Sequence, residues 1–445
     1  MKTKPILIAG AAVAALAAAA LGWFATVPGP MDFADGKPVP LSAYAGAPTG
    51  VPAELAGASL VARGEYLTRA ADCEVCHTAI GGKPYAGGFA MNLPFGAIYS
   101  TNITPDRETG IGAYTDQEFV AAVRHGVRRD GARLYPAMPF TSYRYMTDQD
   151  VLAIKAYLFS LEPVRAPARA NTLGFPFNQR PMLAAWSALF SRDAQFEPNA
   201  SQSAEWNRGA YLVEALAHCG ECHTPRNLTF AMDNRRKFAG AVAGGWQAYN
   251  ISSDKQAGIG GWRDEELLAY LAQGHAEGRG SASGPMGEVA DYSLVHLTSS
   301  DVRAMAAYLR SAPATGSGSA ARKDSPASAS PKEGVSDAAN DLGRQVFAGA
   351  CASCHDWTGV SPLMSYATFT GARSVNDPNA TNVAQVVISG VHRLAPNEQF
   401  MPAFGGSYSD TEIAAVANYV TARFGAKGSQ LTAKDVAELR RQTAQ

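Results

Sequence analysis

The sequence predicts a mainly α protein built from three tandem, loop-rich helical domains. Three observations support this prediction. The motif Cys-x-x-Cys-His occurs three times, an internal repeat relates the segments around the first two motifs, and a segment of helical periodicity follows each motif. With 445 residues, the chain is too long for one small domain and suits three domains of about 100 to 150 residues each.

An internal repeat relates the first two domains. Two pairs of segments correspond: CEVCHT at 73–78 with CGECHT at 219–224, and STNITPDRETGIGAYTDQE at 100–118 with AYNISSDKQAGIGGWRDEE at 248–266. The GIG triplet occurs twice at an offset of 148 residues, and Met138 and Met286 are separated by the same offset. Self-similarity at a fixed offset indicates two copies of one structural unit. A glycine and an aromatic residue precede all three motifs: Gly64 and Tyr66, Gly209 and Tyr211, and Gly343 and Phe347.

A helix is predicted to close each domain. Its N-cap is Thr147, Thr298 or Ser409, and an acidic residue three positions later suggests a capping box: Asp150, Asp301 and Glu412. Apolar residues then recur at helical spacing: Val151, Ile154 and Leu158; Val302, Met305 and Leu309; Ile413, Val416 and Val420. A tyrosine occupies the same place in each helix: Tyr157, Tyr308 and Tyr419. The third domain therefore shares the design of the other two.

These signals divide the chain into segments. The predicted ranges are 1–27 for a signal peptide or N-terminal membrane anchor, 28–59 for an extended lead-in, 60–165 for domain 1, 166–206 for a connector that packs domains 1 and 2 together, 207–311 for domain 2, 312–339 for a flexible linker, 340–427 for domain 3 and 428–445 for a polar C-terminal tail. The linker is rich in Ser, Ala, Pro and Gly, which cannot bury a core. Domain 3 is therefore expected to be mobile.

The connector is too aromatic for a bare tether. Its large aromatic side chains include Phe175, Phe177, Trp186, Phe190 and Phe196. Domains 1 and 2 are therefore expected to pack rigidly together. Within the connector, MLAAWSALF at 182–190 is too short to cross a bilayer, and it predicts an amphipathic or interface helix.

The cysteine pattern indicates covalently bound haem. Two cysteines on one helical turn can form thioether bonds with the haem vinyl groups, and the histidine that follows can bind the iron. We expect three covalently attached haem c groups, at Cys73, Cys76 and His77, at Cys219, Cys222 and His223, and at Cys351, Cys354 and His355. A zinc site would need four clustered ligands, but successive pairs lie more than a hundred residues apart. A redox dithiol does not need the following histidine.

A methionine is the expected second axial ligand of each iron, because Met with His suits electron-transfer cytochromes. Met138, Met286 and Met401 each follow their motif by about 45 to 65 residues and lie beside a proline just before the closing helix. We expect each in a loop. Ordinary core methionines are one alternative, and ligation by a second histidine is another: His125, His275 and His392 precede the three methionines by 9 to 13 residues.

Charge and the N-terminal sequence bear on location and partners. The net charge is −1, from 38 basic and 39 acidic side chains, which does not favour nucleic acid as a partner. Lys2 and Lys4 precede an uncharged stretch from Pro5 to Val27, which indicates export, as a cleaved signal or a retained anchor. Either alternative places the chain on the periplasmic side of the bacterial inner membrane.

At these residues the sequence resembles the triple-haem cytochrome c subunits of bacterial membrane-bound dehydrogenase complexes, which partner alcohol, aldehyde, gluconate, fructose or sorbitol dehydrogenases. The resemblance spans about residues 60 to 425 and is carried by these strings: GEYLTRAADCEVCHT, YSTNITPDRETGIGAYT, LYPAMPF, EWNRGAYLVEALAHCGECHTPRN, GPMGEV and MPAFG. It implies cytochrome c-type domains and the Cys, His and Met ligands given above. Some relatives carry a C-terminal membrane helix, whereas this chain ends in LTAKDVAELRRQTAQ.

The resemblance implies a non-catalytic electron-transfer subunit. The implied protein partner is a catalytic dehydrogenase subunit, and a small third subunit can accompany it. The membrane is also an implied partner, and ubiquinone or a terminal oxidase is the implied electron acceptor. Two other functions stay open. A free periplasmic electron shuttle would need no membrane, and a multihaem peroxidase-like enzyme would need one iron with an open coordination position.

Overall fold

The computed structural model describes Gly22 and residues 28–191, 194–316, 338–394 and 399–443. The predicted signal or anchor at 1–27, apart from Gly22, and most of the predicted linker at 312–339 lie outside the described residues. The fold is mainly α, as predicted. Its helices are α1 Leu60–Ala70, α2 Cys73–His77, α3 Asp116–His125, α4 Phe140–Tyr143, α5 Asp148–Leu158, α6 Pro181–Phe190, α7 Ala204–Tyr211, α8 Gly220–His223, α9 Asp264–Gln273, α10 Pro285–Tyr292, α11 Ser299–Ser311, α12 Ala338–Val346, α13 Ala352–His355, α14 Thr381–Ser389, α15 Asp410–Phe424 and α16 Ala433–Thr443.

Short strands connect the helices. Those in the described part of the chain pair as two-stranded antiparallel ladders: β1 Ala90–Leu93 with β2 Gly96–Tyr99, β3 Ala241–Ala243 with β4 Trp246–Ala248, β5 His275–Ala276 with β6 Gly280–Ser281, and β7 Val391–Arg393 with β8 Gln399–Met401. None of the described helices is long and apolar enough to span a membrane.

Two crossing helices form the centre of each domain. The closing helices α5, α11 and α15 pack on α1, α7 and α12, which carry the glycines before the motifs. A Cβ atom on each glycine would clash with a carbonyl oxygen of the closing helix: 1.9 Å for Gly64 and Ala153, 1.9 Å for Gly209 and Ala304, and 2.3 Å for Gly343 and Ala415. Glycine is therefore required for the close approach of the two backbones.

The closing helices begin at the predicted N-caps, but the capping boxes differ. The side chains of Thr147 and Thr298 accept hydrogen bonds from the backbone N–H groups of Asp150 and Asp301. A full capping box with both reciprocal bonds forms in domain 3, between Ser409 and Glu412. In domains 1 and 2 the aspartate carboxylates bind tyrosines of the neighbouring domain instead.

Domains 1 and 2 share one hydrophobic core. It runs continuously from α1 and α5, through Phe196 of the connector, to α7 and α11. Residues 28–59 lie along domain 2 through specific contacts, which differs from the expected extended lead-in. The Arg208 guanidinium donates to the carbonyl oxygens of Pro48 at 3.0 Å and Gly50 at 2.8 Å.

Domain 3 has its own core, and the C-terminal tail belongs to it. The prediction of a polar tail at 428–445 missed the helix α16, whose Val436 and Leu439 are buried against α14 and α15. These two residues are three positions apart, so they lie on one face of the helix. The other side chains of α16 are largely polar, and Arg440 among them pairs with Asp410 of α15 at 2.5 Å.

Domain 3 is docked against domain 2, which differs from the expected mobile arrangement. Arg393 pairs with Asp291 at 2.8 Å, and their side chains are only 2% and 3% exposed. The Asn382 side chain accepts from the Gln247 backbone N–H at 2.8 Å and donates to its carbonyl oxygen at 3.0 Å. The composition of the linker does not determine this contact, because the docking residues lie outside it.

Candidate haem-binding sites

Each Cys-x-x-Cys-His motif follows a break in the helix before it. In domain 1, Asp72 adopts a left-handed conformation with φ of 55° between α1 and α2. In domain 2, a π-helical turn at Leu212–Leu216 precedes the motif. In domain 3, a π-helical turn at Phe347–Cys351 leads into the motif and includes its first cysteine. Such wide turns occur often at functional sites. The regular α-helical pattern is therefore interrupted at or just before each motif.

The three motif histidines are held in the same way. Their Nδ1 atoms lie within hydrogen-bond distance of backbone carbonyl oxygens: His77 to Thr101 at 2.7 Å, His223 to Tyr249 at 2.6 Å, and His355 to Ala367 at 2.6 Å. A carbonyl can only accept, so Nδ1 carries the proton and Nε2 keeps its lone pair. Within the described residues, no hydrogen-bond partner meets Nε2 of any of the three. This is the arrangement of a histidine that binds a metal through Nε2.

In domains 1 and 2, an asparagine side chain stabilises a turn next to the carbonyl group that binds the motif histidine. Asn102 Oδ1 accepts from the backbone N–H of Thr104 at 2.9 Å, and Asn250 Oδ1 accepts from that of Ser252 at 2.8 Å. These turns directly follow Thr101 and Tyr249. Their role was not predicted, although both asparagines stand at matching places in the repeated segments.

Burial lowers the pKa of His77, His223 and His355, because a partly buried imidazolium loses hydration. All three imidazoles are therefore neutral at pH 7, the form that binds a metal. The carbonyl contacts oppose this shift without reversing it.

The cysteines do not behave as a redox dithiol. All six are free of disulfides. Burial raises the pKa of the Cys73 and Cys219 thiols to about 12 and that of Cys351 to about 11. A reactive dithiol needs a lowered pKa. Unpaired, partly buried thiols beside a histidine with an available Nε2 instead fit covalent haem.

The three candidate methionines are partly buried, but only Met138 lies in a loop. Met286 is the second residue of α10, and Met401 is the last residue of β8, so the expectation of a loop was wrong for both. Met138 and Met286 pack against the shared core of domains 1 and 2, as do Cys73 and Cys219. Met401 packs against the domain 3 core together with Cys351.

The sites of domains 1 and 2 face each other. Glu221, within the second motif, accepts from Thr141 Oγ1 at 2.7 Å and Ser142 Oγ at 3.0 Å, and both donors closely follow Met138. Reciprocally, α10, which carries Met286, packs against the first motif helix. Each methionine segment therefore touches the motif of the other domain.

The interface of domains 2 and 3 touches the segments that hold two of the histidines. Tyr249, whose carbonyl orients His223, donates its hydroxyl to Asp377 at 3.3 Å. Ser281 Oγ donates to the carbonyl oxygen of Tyr366 at 3.2 Å, and the next carbonyl, that of Ala367, orients His355. Docking therefore fixes the two anchoring segments relative to each other.

Comparisons with known proteins agree with this geometry. Residues 61–162 match the family described as "Cytochrome c", and residues 338–420 match "Cytochrome C oxidase, cbb3-type, subunit III". These matches fall on domains 1 and 3. Both descriptions name cytochrome proteins, and cytochromes c bind haem covalently through such motifs.

Similar proteins cover most of the chain. It is 39% identical over 401 residues to the fructose dehydrogenase cytochrome subunit of Gluconobacter japonicus, covering 85% of this chain and 82% of that protein. It is 38% identical over 403 residues to the gluconate 2-dehydrogenase cytochrome c subunit of Pantoea cypripedii, covering 86% and 90%. It is 42% identical over 377 residues to a nicotinate dehydrogenase subunit of Pseudomonas putida, covering 83% of this chain but 31% of that longer protein. With two matches to cytochrome c families and these relatives over most of its length, the chain belongs to the family of cytochrome c subunits of dehydrogenase complexes.

Proposed function

We propose that the chain is an electron-transfer subunit carrying three covalently attached haem c groups. The proposed thioether residues are Cys73, Cys76, Cys219, Cys222, Cys351 and Cys354. The proposed axial ligands are His77 with Met138, His223 with Met286, and His355 with Met401. The observation that carries the proposal is the threefold repetition of one arrangement, in which a carbonyl oxygen orients the motif histidine through Nδ1.

The chain's own residues perform the binding and the positioning. Haem c, when bound, supplies one-electron redox chemistry. The thiols would form the thioether bonds, and the carbonyl-anchored histidines would present Nε2 to the iron. The methionine segments of domains 1 and 2 touch each other's motifs.

The proposed partner is the catalytic subunit of a dehydrogenase complex on the periplasmic side of the inner membrane. Membership of the family and the uncharged stretch from Pro5 to Val27 support this location. Electrons would leave to ubiquinone or another component of the respiratory chain. The names of the relatives include fructose, gluconate and nicotinate. In the complex proposed for this chain, the catalytic subunit would determine the substrate.

A haem count tests the number of sites. The purified protein should contain three haems per chain by pyridine haemochrome absorbance and intact mass. Replacing one pair of cysteines, Cys351→Ala with Cys354→Ala, should leave two haems, and the corresponding pair at 219 and 222 should do the same. Two or fewer haems in the unaltered protein would refute the proposal.

Ligand replacement tests the methionines. Met138→His, Met286→His and Met401→His should each lower the reduction potential of one haem and leave the other two unchanged, because histidine pairs give lower potentials than His with Met. Met305→Leu, in the buried face of α11, is the matched control and should leave all potentials unchanged. An unchanged set of potentials in one of the three histidine variants would remove that methionine from the ligand set.

Two further measurements separate the alternatives. The reduced native protein should bind no carbon monoxide, whereas substantial binding would show an open iron and favour a peroxidase-like enzyme. Purification from membranes should retain a catalytic dehydrogenase subunit. Recovery of all the native protein alone from the soluble fraction would favour a free electron shuttle.

A further inference from the structure

An apolar helix is exposed beside domains 1 and 2. Helix α6, Pro181–Phe190, contains no charged residue, and the side chains of Met182 and Leu189 are 57% and 45% exposed. Nearby Phe175 is 81% exposed, and Leu228 and Phe230 of domain 2 are 99% and 47% exposed. We call Phe175, Met182, Leu189, Leu228 and Phe230 the apolar surface. Soluble proteins seldom leave so many large apolar side chains together in water.

The apolar surface is held in place by the folded domains. Trp186 Nε1, on α6, donates to the carbonyl oxygen of Thr229 at 2.8 Å. The Phe177 ring stacks on Phe95 of domain 1 at 3.8 Å and meets Phe230 of domain 2 edge-on at 5.9 Å. The connector and the 226–232 loop of domain 2 therefore present their apolar side chains as one fixed surface.

The N-terminal segment meets the folded protein close to this surface. Asn234 Nδ2 donates to the carbonyl oxygen of Pro28 at 3.0 Å. Asn234 follows Phe230 by four residues, a span of at most about 14 Å. The preceding stretch, Pro5 to Val27, carries no charged residue. Pro28, the residue that directly follows this stretch in the sequence, therefore lies close to the apolar surface.

We propose that the apolar surface is a second membrane contact, lying in the lipid interface next to the point where the N-terminal stretch leaves the domains. A short helix without charges, carrying one tryptophan and one phenylalanine, suits the boundary between headgroups and acyl chains. Exposed Arg180 at its start suits anionic headgroups. This inference rests on the proposed membrane location. The two contacts together would fix the orientation of domains 1 and 2 on the bilayer.

A spin label measures whether Leu189 enters lipid. All six native cysteines lie in the haem motifs, so Leu189→Cys introduces the one thiol open to labelling in the holoprotein. In native membranes, the label at 189 should be more accessible to oxygen, which concentrates in lipid, than to a water-soluble nickel chelate. Val242→Cys, at a position 65% exposed on β3, is the matched control and should show the opposite preference.

The outcomes separate this inference from the proposed location. A label at 189 that prefers the nickel chelate, while the protein remains in membranes, overturns the apolar surface as a lipid contact. Protection of the label from both reagents shows that a protein partner covers the apolar surface, and this result also overturns the lipid contact. Absence of the unaltered protein from membranes overturns the location itself.

A charge substitution provides an independent measurement. Leu189→Glu combined with Met182→Glu should increase the fraction of protein released by an alkaline wash, with the haem content unchanged as a check on folding. Val242→Glu should leave the released fraction unchanged. Equal release from the double variant and the unaltered protein would contradict the inference.

Discussion

The hydroxyl of Tyr66 in domain 1 donates a hydrogen bond of 2.6 Å to Asp301 Oδ2 in domain 2. The same contact forms in the opposite direction, with 2.5 Å from the Tyr211 hydroxyl to Asp150 Oδ2. The backbone N–H of Thr298 donates to the Tyr66 hydroxyl at 3.2 Å, in place of the capping-box bond that an acidic side chain would accept. The two copies of the repeat therefore complete each other's closing helices.

Domain 3 lacks this exchange. The position that corresponds to Tyr66, two residues after the helix glycine, is Gln345. Glu412 folds back onto its own N-cap, Ser409, and has no tyrosine partner. This difference explains why domains 1 and 2 form a reciprocal pair while domain 3 docks through another surface.

Replacing each tyrosine with phenylalanine tests the reciprocal contact. A hydrogen bond to a charged group contributes about 1.5 to 3 kcal/mol. Tyr211→Phe should cost more than Tyr66→Phe, because Asp301 keeps its two bonds from Arg208 at 2.8 and 2.7 Å. Denaturant unfolding of the holoprotein measures both. Tyr157→Phe is the control, since its hydroxyl makes no hydrogen bond within the described residues, and equal losses in all three variants would contradict the expectation.

The helix crossings predict a steep cost for adding one methyl group. Gly64→Ala and Gly209→Ala each place a carbon 1.9 Å from a carbonyl oxygen of the closing helix, so the helices must separate. Each should lose more than about 3 kcal/mol, or prevent accumulation of holoprotein. Gly57→Ala is the matched control, because nothing lies within 4 Å of its added carbon. Unfolding midpoints for Gly64→Ala and Gly57→Ala that agree would show that the crossing is not tightly packed.

Local signals in the sequence predicted much of the fold. The N-caps at Thr147, Thr298 and Ser409 and the periodic apolar residues behind them mark the closing helices, because caps and periodicity act over a few neighbouring residues. The three motifs, which the sequence marks by identical spacing, hold their histidines in one arrangement. Assignment of the iron ligands remains a proposal.

Other features depend on contacts that the sequence does not mark. The carbonyl oxygens of Thr101, Tyr249 and Ala367 orient the histidines, and every residue has a carbonyl. Arg393 and Asp291 are 102 positions apart, and no local pattern connects them. The apolar positions of α16 were present in the sequence but stand among many charged residues, so the segment resembled a polar tail.

The buried ion pair between domains 2 and 3 should control docking. Arg393→Met leaves Asp291 as an uncompensated buried carboxylate, which costs about 3 to 5 kcal/mol. We expect domain 3 to separate from domain 2, seen as a larger radius of gyration in X-ray scattering with three haems retained. Adding Asp291→Leu should restore part of the compactness. The control is Arg165→Met, whose pair with Glu108 is 73% and 69% exposed, and unchanged scattering from Arg393→Met would show that other contacts suffice.

Asp377 should make the docked state sensitive to pH. Burial raises the pKa of this carboxyl, so the folded protein holds its proton more tightly than the unfolded chain does. Its contribution to stability is therefore fully present below the unfolded pKa of about 4 and is lost as pH rises through the folded pKa. Asp377→Asn keeps one acceptor oxygen, which can serve the Asn379 N–H. Its amide N–H can donate to the Tyr249 hydroxyl, which now donates to Asp377, and the variant carries no buried charge.

The stability of Asp377→Asn relative to the unaltered protein should therefore increase with pH, measured as urea midpoints from pH 4 to 8. Asp435→Asn provides the opposite sign. Hydrogen bonds from Thr432 lower the pKa of Asp435, so its stabilising contribution is present above pH 4 and is lost as pH falls through the folded pKa. That variant should lose stability relative to the unaltered protein as pH rises. Parallel pH profiles for the two variants would contradict the assignment of a buried charge to Asp377.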